Sequence, residues 1–284
     1  MKKIPKEALT NKTYLGICGM SCGATEHEIF LADSSLDSNM VRMFNVNSAE
    51  LDERDAYRPL NGERVGDVAY YPNSDTLLVA TWNQDRAGIT MRSFSRVFGE
   101  WHFNHELKLS ETKGEYLMLD VLSDGSLFCS VLKTERVQLC RIEMDRTLKH
   151  QTRVILPCKH EGFDVQLTGN DRLLAAALDG SVAIFRVGEE GVIEPLSRAP
   201  LHGAHYPLFI GDNLLVGVAS NEDFYVSEAM SFSHSAGIPE SDHMLSIIPR
   251  NDRLDIFRWC FLDARNSLCL WNFRFKELFI YKAS

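Results

Sequence analysis

A pair of short strand-like runs recurs six times along the chain, and no other feature limits the possible folds so strongly. The first member is a compact, mostly apolar run at residues 28–33 (EIFLAD), 76–81 (TLLVAT), 126–131 (SLFCSV), 172–177 (RLLAAA), 213–218 (NLLVGV) and, in a weaker copy, 256–262 (IFRWCFL). The starts are separated by 48, 50, 46, 41 and 43 residues. The second member alternates polar and apolar residues and occupies 40–46, 88–94, 136–142, 181–187, 223–229 and 267–273, with starts 48, 48, 45, 42 and 44 residues apart. The two series drift together, so they belong to one repeat.

Two further strands fit into each repeat. One precedes each pair, at 14–19, 65–71, 116–122, 162–168, 206–210 and 244–249. A more polar one follows most pairs, as at 101–109, 153–157 and 192–201. Inner strands covered on both faces read as continuous apolar runs, whereas an outer strand that sees water alternates. Turns rich in Asp, Asn and Gly separate the strands, including 72–75 (PNSD), 123–125 (SDG), 169–171 (GND) and 179–180 (DG). These residues supply the side-chain hydrogen bonds and positive φ values of tight turns. A strand-rich period of about 40 to 50 residues with four strands per repeat predicts a β-propeller.

The fold class is therefore all-β, a propeller of four-stranded antiparallel blades. Six blades account for residues 14–284 better than seven or eight. A length of 284 residues alone would allow two domains. The repeat predicts one, spanning 1–284. Residues 277–281 read as the outer strand of the sixth blade. Residues 1–12 are either an N-terminal extension or a strand that completes that blade and closes the ring, so that no open sheet edge remains.

Residues 29–33 (IFLAD) followed by 40–46 (MVRMFNV) resemble the strand pair of NHL-type and YWTD-type propeller repeats. Residues 178–187 (LDGSVAIFRV) look more like a WD40-type hairpin. Leu270-Trp271 sits where WD40 repeats carry Trp-Asp, with Asn272 in place of the Asp, and the WD40 Gly-His pair is missing. The resemblance implies a propeller of WD40-like or NHL-like type over nearly the whole chain. It carries over no binding residues.

The formal net charge of −9 makes the chain a poor generic ligand for polyanions, which need clustered Lys and Arg. The longest apolar runs hold six residues, against about 20 for a membrane-spanning helix. The basic start (MKKIPK) has no apolar segment behind it, so neither a secretory signal nor a membrane location is expected. Seven scattered cysteines, an odd number, read as reduced core thiols of a soluble intracellular protein of cytoplasm or nucleus.

Several groups invite a chemical reading. Cys18 and Cys22, with His27, lack the ligand count of a zinc site. His202 and His205 share a loop without a nearby carboxylate in sequence. Asp120 and Asp164, in first strands that should line the channel, are the candidate ligands for a hard cation such as the one held by lactonase-like hydrolytic propellers, with Asp33 a further acidic strand end. The basic stretch 133–153 carries a local charge of +3 without aromatics, which suits a solvated outer face better than the RNA-binding surface of some NHL-type propellers.

The remaining reading is a noncatalytic platform. Loops from every blade should converge on one face and bring together Arg64, Arg86, Tyr116, His160, Phe163, His205, Tyr206 and His243. Arg and aromatic residues are the side chains that dominate protein interfaces. A protein or peptide partner is expected, with no cofactor. A metal-dependent hydrolase with its ion in the channel and an RNA-binding propeller are the rivals.

Overall fold

The computed structural model describes residues 2–3, 17–23, 28–35, 38–46, 51–60, 62–71, 74–83, 88–109, 116–121, 127–133, 136–143, 149–157, 166–170, 173–178, 181–187, 193–201, 204–210, 213–219, 226–233, 244–245, 256–262, 267–272 and 277–282. All their regular elements are strands. After β1 (Lys2–Lys3) come β2 (Ile17–Cys22), β3 (Glu28–Asp33), β4 (Met40–Val46) and β5 (Leu51–Tyr57), which form the first antiparallel blade. The second blade is β6 (Glu63–Tyr71), β7 (Thr76–Asn83), β8 (Ile89–Val97) and β9 (Glu100–Leu109). The third is β10 (Tyr116–Val121), β11 (Leu127–Lys133), β12 (Arg136–Glu143) and β13 (Lys149–Pro157). The fourth is β14 (Gln166–Asn170), β15 (Leu173–Leu178), β16 (Ser181–Val187) and β17 (Ile193–Pro200).

The last strands are β18 (Ala204–Ile210), β19 (Asn213–Ala219), β20 (Val226–Ser233), β21 (Met244–Leu245), β22 (Ile256–Leu262), β23 (Ser267–Asn272) and β24 (Glu277–Lys282). They make two blades, β18 to β21 and β22 to β24 plus β1, joined by the single pair Val226–Ile256. The first strands touch in a closed cycle: β2 beside β6, then β10, β14, β18, β22 and back to β2. Among the described residues, six first strands thus form one closed cycle of contacts. Among the described residues no helix is long and apolar enough to cross a membrane.

The last blade departs from the sequence-based expectation. Residues 244–249 were expected as its first strand, yet Met244–Leu245 pairs with β20 and ends the fifth blade. The first strand is instead β22, which was expected in second place. A shared irregularity explains why β22 belongs there. Near their beginnings, four first strands leave residues out of register with the second strand: Cys18, Gly66, Tyr206–Pro207 and Phe257. The bulge in β22 falls where it does in β2, β6 and β18. Each strand of the blade moves one place inward, and the vacated outer place is taken by β1, with Lys2 opposite Ile280 and Lys3 opposite Phe279. The N-terminus therefore closes the ring.

A second regularity concerns the outer edges. In each of the first four blades the outer strand carries one extra residue: Ala56, Asn104, Gln151 and Leu196. Such bulges increase local twist and keep an edge from pairing with another chain.

The core lies between blades. Every residue of β3 is buried, as are Val65 to Tyr70 of β6 and Thr76 to Ala80 of β7. Phe30, Ala32 and Val41 of the first blade pack with Val65, Val68, Tyr70, Leu77, Val79 and Phe94 of the second. Ala175, Ala177, Val182 and Ile184 of the fourth pack with Ala204, Leu214 and Val216 of the fifth. Phe30 stacks on Tyr70 at 5.5 Å between ring centres and meets the edge of Trp101 at 5.7 Å. Deleting residues 1–3 removes β1 and bares β24. The truncated protein should unfold at lower temperature and scatter more light on heating than the full chain, whereas equal melting and scattering would show that β1 does not seal the ring.

Candidate functional site

In a ring of repeats every first strand begins at the same end, and the connections between blades enter there. Four of the expected partner-binding residues reach that end: Arg64 is second in β6, Tyr116 opens β10, and His205 and Tyr206 follow Ala204 at the start of β18. Tyr206 falls in the register shift between His205 and Leu208. Arg86, His160, Phe163 and His243 lie outside the described residues. Asp120 lies in β10 opposite Phe128, while Asp164, the other candidate cation ligand, is outside the described residues. Cys18 and Cys22 both lie in β2. Among the described residues no three His, Cys, Asp or Glu side chains cluster as metal ligands do.

Side chains show how this end is held between blades one and two. The turn after β3 starts with buried Asp33, whose Oδ1 accepts a hydrogen bond from the Ser35 amide at 2.9 Å. It ends with Asn39 at φ 29°, a conformation that Asn tolerates. The Asn39 side-chain amide then latches onto the next blade. Its Nδ2 donates to the Glu63 carbonyl at 2.8 Å, and its Oδ1 accepts from the Val65 amide at 3.0 Å. Arg64 lies between these two residues, and its Nη1 donates to the Ser34 carbonyl at 3.2 Å. Arg64, expected only as a partner contact, is thus also a strut between blades.

Below it sits a buried polar group that sequence reasoning missed. Arg92, on β8, forms a two-pronged pair with Glu63, at 2.7 and 2.8 Å. Its Nε donates to Glu106 on β9 at 2.9 Å. Nη1 also donates to the Tyr57 hydroxyl and to Thr81 Oγ1, both at 3.0 Å. One guanidinium therefore gathers β5 of the first blade and β6, β7 and β9 of the second. Burial alone would push Glu63 upward, but the hydrogen bonds and charge of Arg92 outweigh it and hold the carboxyl below its ordinary value. Burial, against the pull of Arg92, pushes Tyr57 up, so it stays a neutral hydroxyl at physiological pH. The available signal was an Arg between apolar residues in a strand (ITMRSFSRV), since a buried charge requires a partner.

Among family models none matches the chain, and no curated protein matches it. Solved structures do. A functionally unknown protein from Desulfotomaculum acetoxidans superposes with a TM-score of 0.64 at 12% identity, over 95% of this chain and 87% of that one. A β-propeller domain from Myceliophteria thermophila gives 0.58 at 9% identity, over 100% of both chains. The chain is a β-propeller. At these identities the likeness concerns the fold alone. A chain in a crystal structure of the mitotic checkpoint complex also matches, with a TM-score of 0.57 at 11% identity over 99% of this propeller and 93% of that chain.

Two predictions follow from the Arg92 group. Replacing Arg92 with Met strands Glu63 without its cation, leaves Glu106 only the exposed Lys108, and should lower unfolding free energy by about 3 kcal/mol in urea titrations. A loss below about 0.5 kcal/mol would mean the pair contributes only as an exposed one does. Because the Glu63 carboxyl is held below its ordinary 4.5 in the fold, its stabilisation is complete above that value and is lost as pH falls through the lower, folded one. The stability gap between the native chain and Glu63→Gln should therefore be widest at neutral pH and narrow below about pH 4.5.

Proposed function

We propose that this propeller is a noncatalytic binding platform, which recognises a peptide or protein with the face where its first strands begin. The observation that carries the reading is the closed ring itself. The starts of its first strands share one end, and Arg64, Tyr116, His205 and Tyr206 fall at or beside those starts in sequence, which supports the reading. Binding groups held in place before association lose little freedom on binding. Aromatic and Arg side chains bury large areas at modest entropic cost, which suits this set to an interface. A structural neighbour in a crystal structure of the mitotic checkpoint complex supports a protein partner.

An intracellular setting is part of this proposal and rests on the seven scattered cysteines. The net charge of −9 favours a protein over a nucleic acid as partner.

The test compares the native chain with the double variant Tyr116→Ala, Tyr206→Ala in affinity capture from the source cell, followed by quantitative mass spectrometry. Both proteins must first show the same cooperative unfolding. At least one stoichiometric partner should drop by about tenfold or more with the double variant, the loss expected on removing interface anchors. Equal recovery of every partner would sink the reading.

A further inference from the structure

The far end of the second blade carries a feature that the platform does not use. Strands β8 and β9 are joined by the two-residue turn Phe98-Gly99, with φ of 52° and 84°. Positive φ at both central positions makes a tight hairpin turn that favours Asn-Gly, because a bulky side chain in the left-handed region is strained. Three described non-glycine residues take positive φ, and the other two are Asn39 and Asp75, residue types that tolerate it. Phe98 has no such excuse and no compensating packing. Its exposure is 104% of the reference value, and open space surrounds the Gly99 position. Val97 beside it is 43% exposed. A residue that breaks the local rule with no structural gain points to function.

The base of the turn is rigid. The Arg96 amide donates to the Asp75 carbonyl at 3.4 Å, which sets this turn beside the one between β6 and β7. Arg96 is bound by Glu28 through two hydrogen bonds, at 2.7 and 2.9 Å, and lies over the Trp101 ring at 4.6 Å. Among the described residues, buried Glu28 and Arg96 pair and cancel at the base of the tip, which leaves the carboxylates of Asp75 and Glu100 around it, a net −2. An acidic collar disfavours an anionic lipid surface. It also disfavours a second copy of a chain whose own charge is −9. We infer that the Phe98 tip is an interaction anchor that inserts into an apolar pocket rimmed by Lys and Arg on a different protein.

This site is separate from the proposed platform. It lies where β6 ends, and the platform lies where β6 begins, roughly 25–30 Å away along a nine-residue strand.

The probe is the full chain with p-benzoylphenylalanine at position 98, photo-crosslinked in native lysate, with adducts mapped by mass spectrometry. The competitors are unlabelled native chain and Phe98→Asn. The Asn suits the left-handed turn, so its melting temperature should equal or exceed that of the native chain. The inference expects one dominant adduct on another protein, at an apolar surface bordered by basic residues. Phe98→Asn should need about thirtyfold more protein than the native chain to suppress it. The Tyr116→Ala, Tyr206→Ala variant should compete as the native chain does, so a failure of the platform leaves this result intact. The inference is overturned by adducts on a second copy of the chain or at an acidic surface, by no dominant adduct, by equal competition from Phe98→Asn, or by sedimentation with vesicles of phosphatidylserine and phosphatidylcholine.

Discussion

The contact between one blade and the next is what the molecule depends on. A four-stranded sheet has two faces, and in this chain both faces of the inner strands are apolar. No blade can cover them alone, so each is folded only as far as its neighbours are. Between the first two blades the seam has three parts. Its apolar part includes an aromatic cluster of Phe30, Tyr70 and Trp101. At one end, Asn39 ties the blades through backbone groups of the second, and Arg92 reaches back to the Tyr57 hydroxyl of the first. At the other, Arg96 binds Glu28 across the seam and Tyr70 donates to Asp75 at 2.7 Å. The apolar part supplies the driving force and the polar ends fix the angle, since hydrogen bonds are directional and burial is not.

This division of work shapes what is left for binding. The polar groups at the ends of the seam are mostly engaged. Arg92 is fully committed, and Arg64 spends one donor on the neighbouring blade. A site on this face must therefore use side chains that the seam leaves over, and a substitution at Arg64 would disturb the blade contact together with any partner.

The repeat period and most inner strands were legible in the sequence, because burial on two faces leaves a continuous apolar run that periodicity detects. Residues 28–33, 40–46 and 181–187 were read to the residue. The last blade was not. Its register depends on pairing between Lys2–Lys3 and β24, residues at opposite ends of the chain, and no local pattern encodes such a contact. Bulges were equally invisible: an extra Ala56 or Leu196 changes the pairing without changing the composition. In the fifth blade the alternating strand was expected at 223–229; the described strand is Val226–Ser233, and 223–225 lie outside the described residues. The Arg64 placement was legible, while its strut to Ser34 required the fold.

Phe98 shows how the two kinds of information combine. In sequence, Phe98-Gly99 between two alternating runs is an unremarked hairpin turn. In the fold, most strained or buried polar features have a partner that accounts for them: Asn39 has Glu63 and Val65, Asp75 has Tyr70 and Arg96, Arg92 has two carboxylates. Asn39 stabilises the seam, and Asp75 and Arg92 brace the second blade beside it. Phe98 makes no comparable contact, although Asn at that position would relieve the turn and remove an exposed ring. Stability alone would favour that change. The carboxylates of Asp75 and Glu100 around that exposed aromatic favour a surface of opposite charge as its partner.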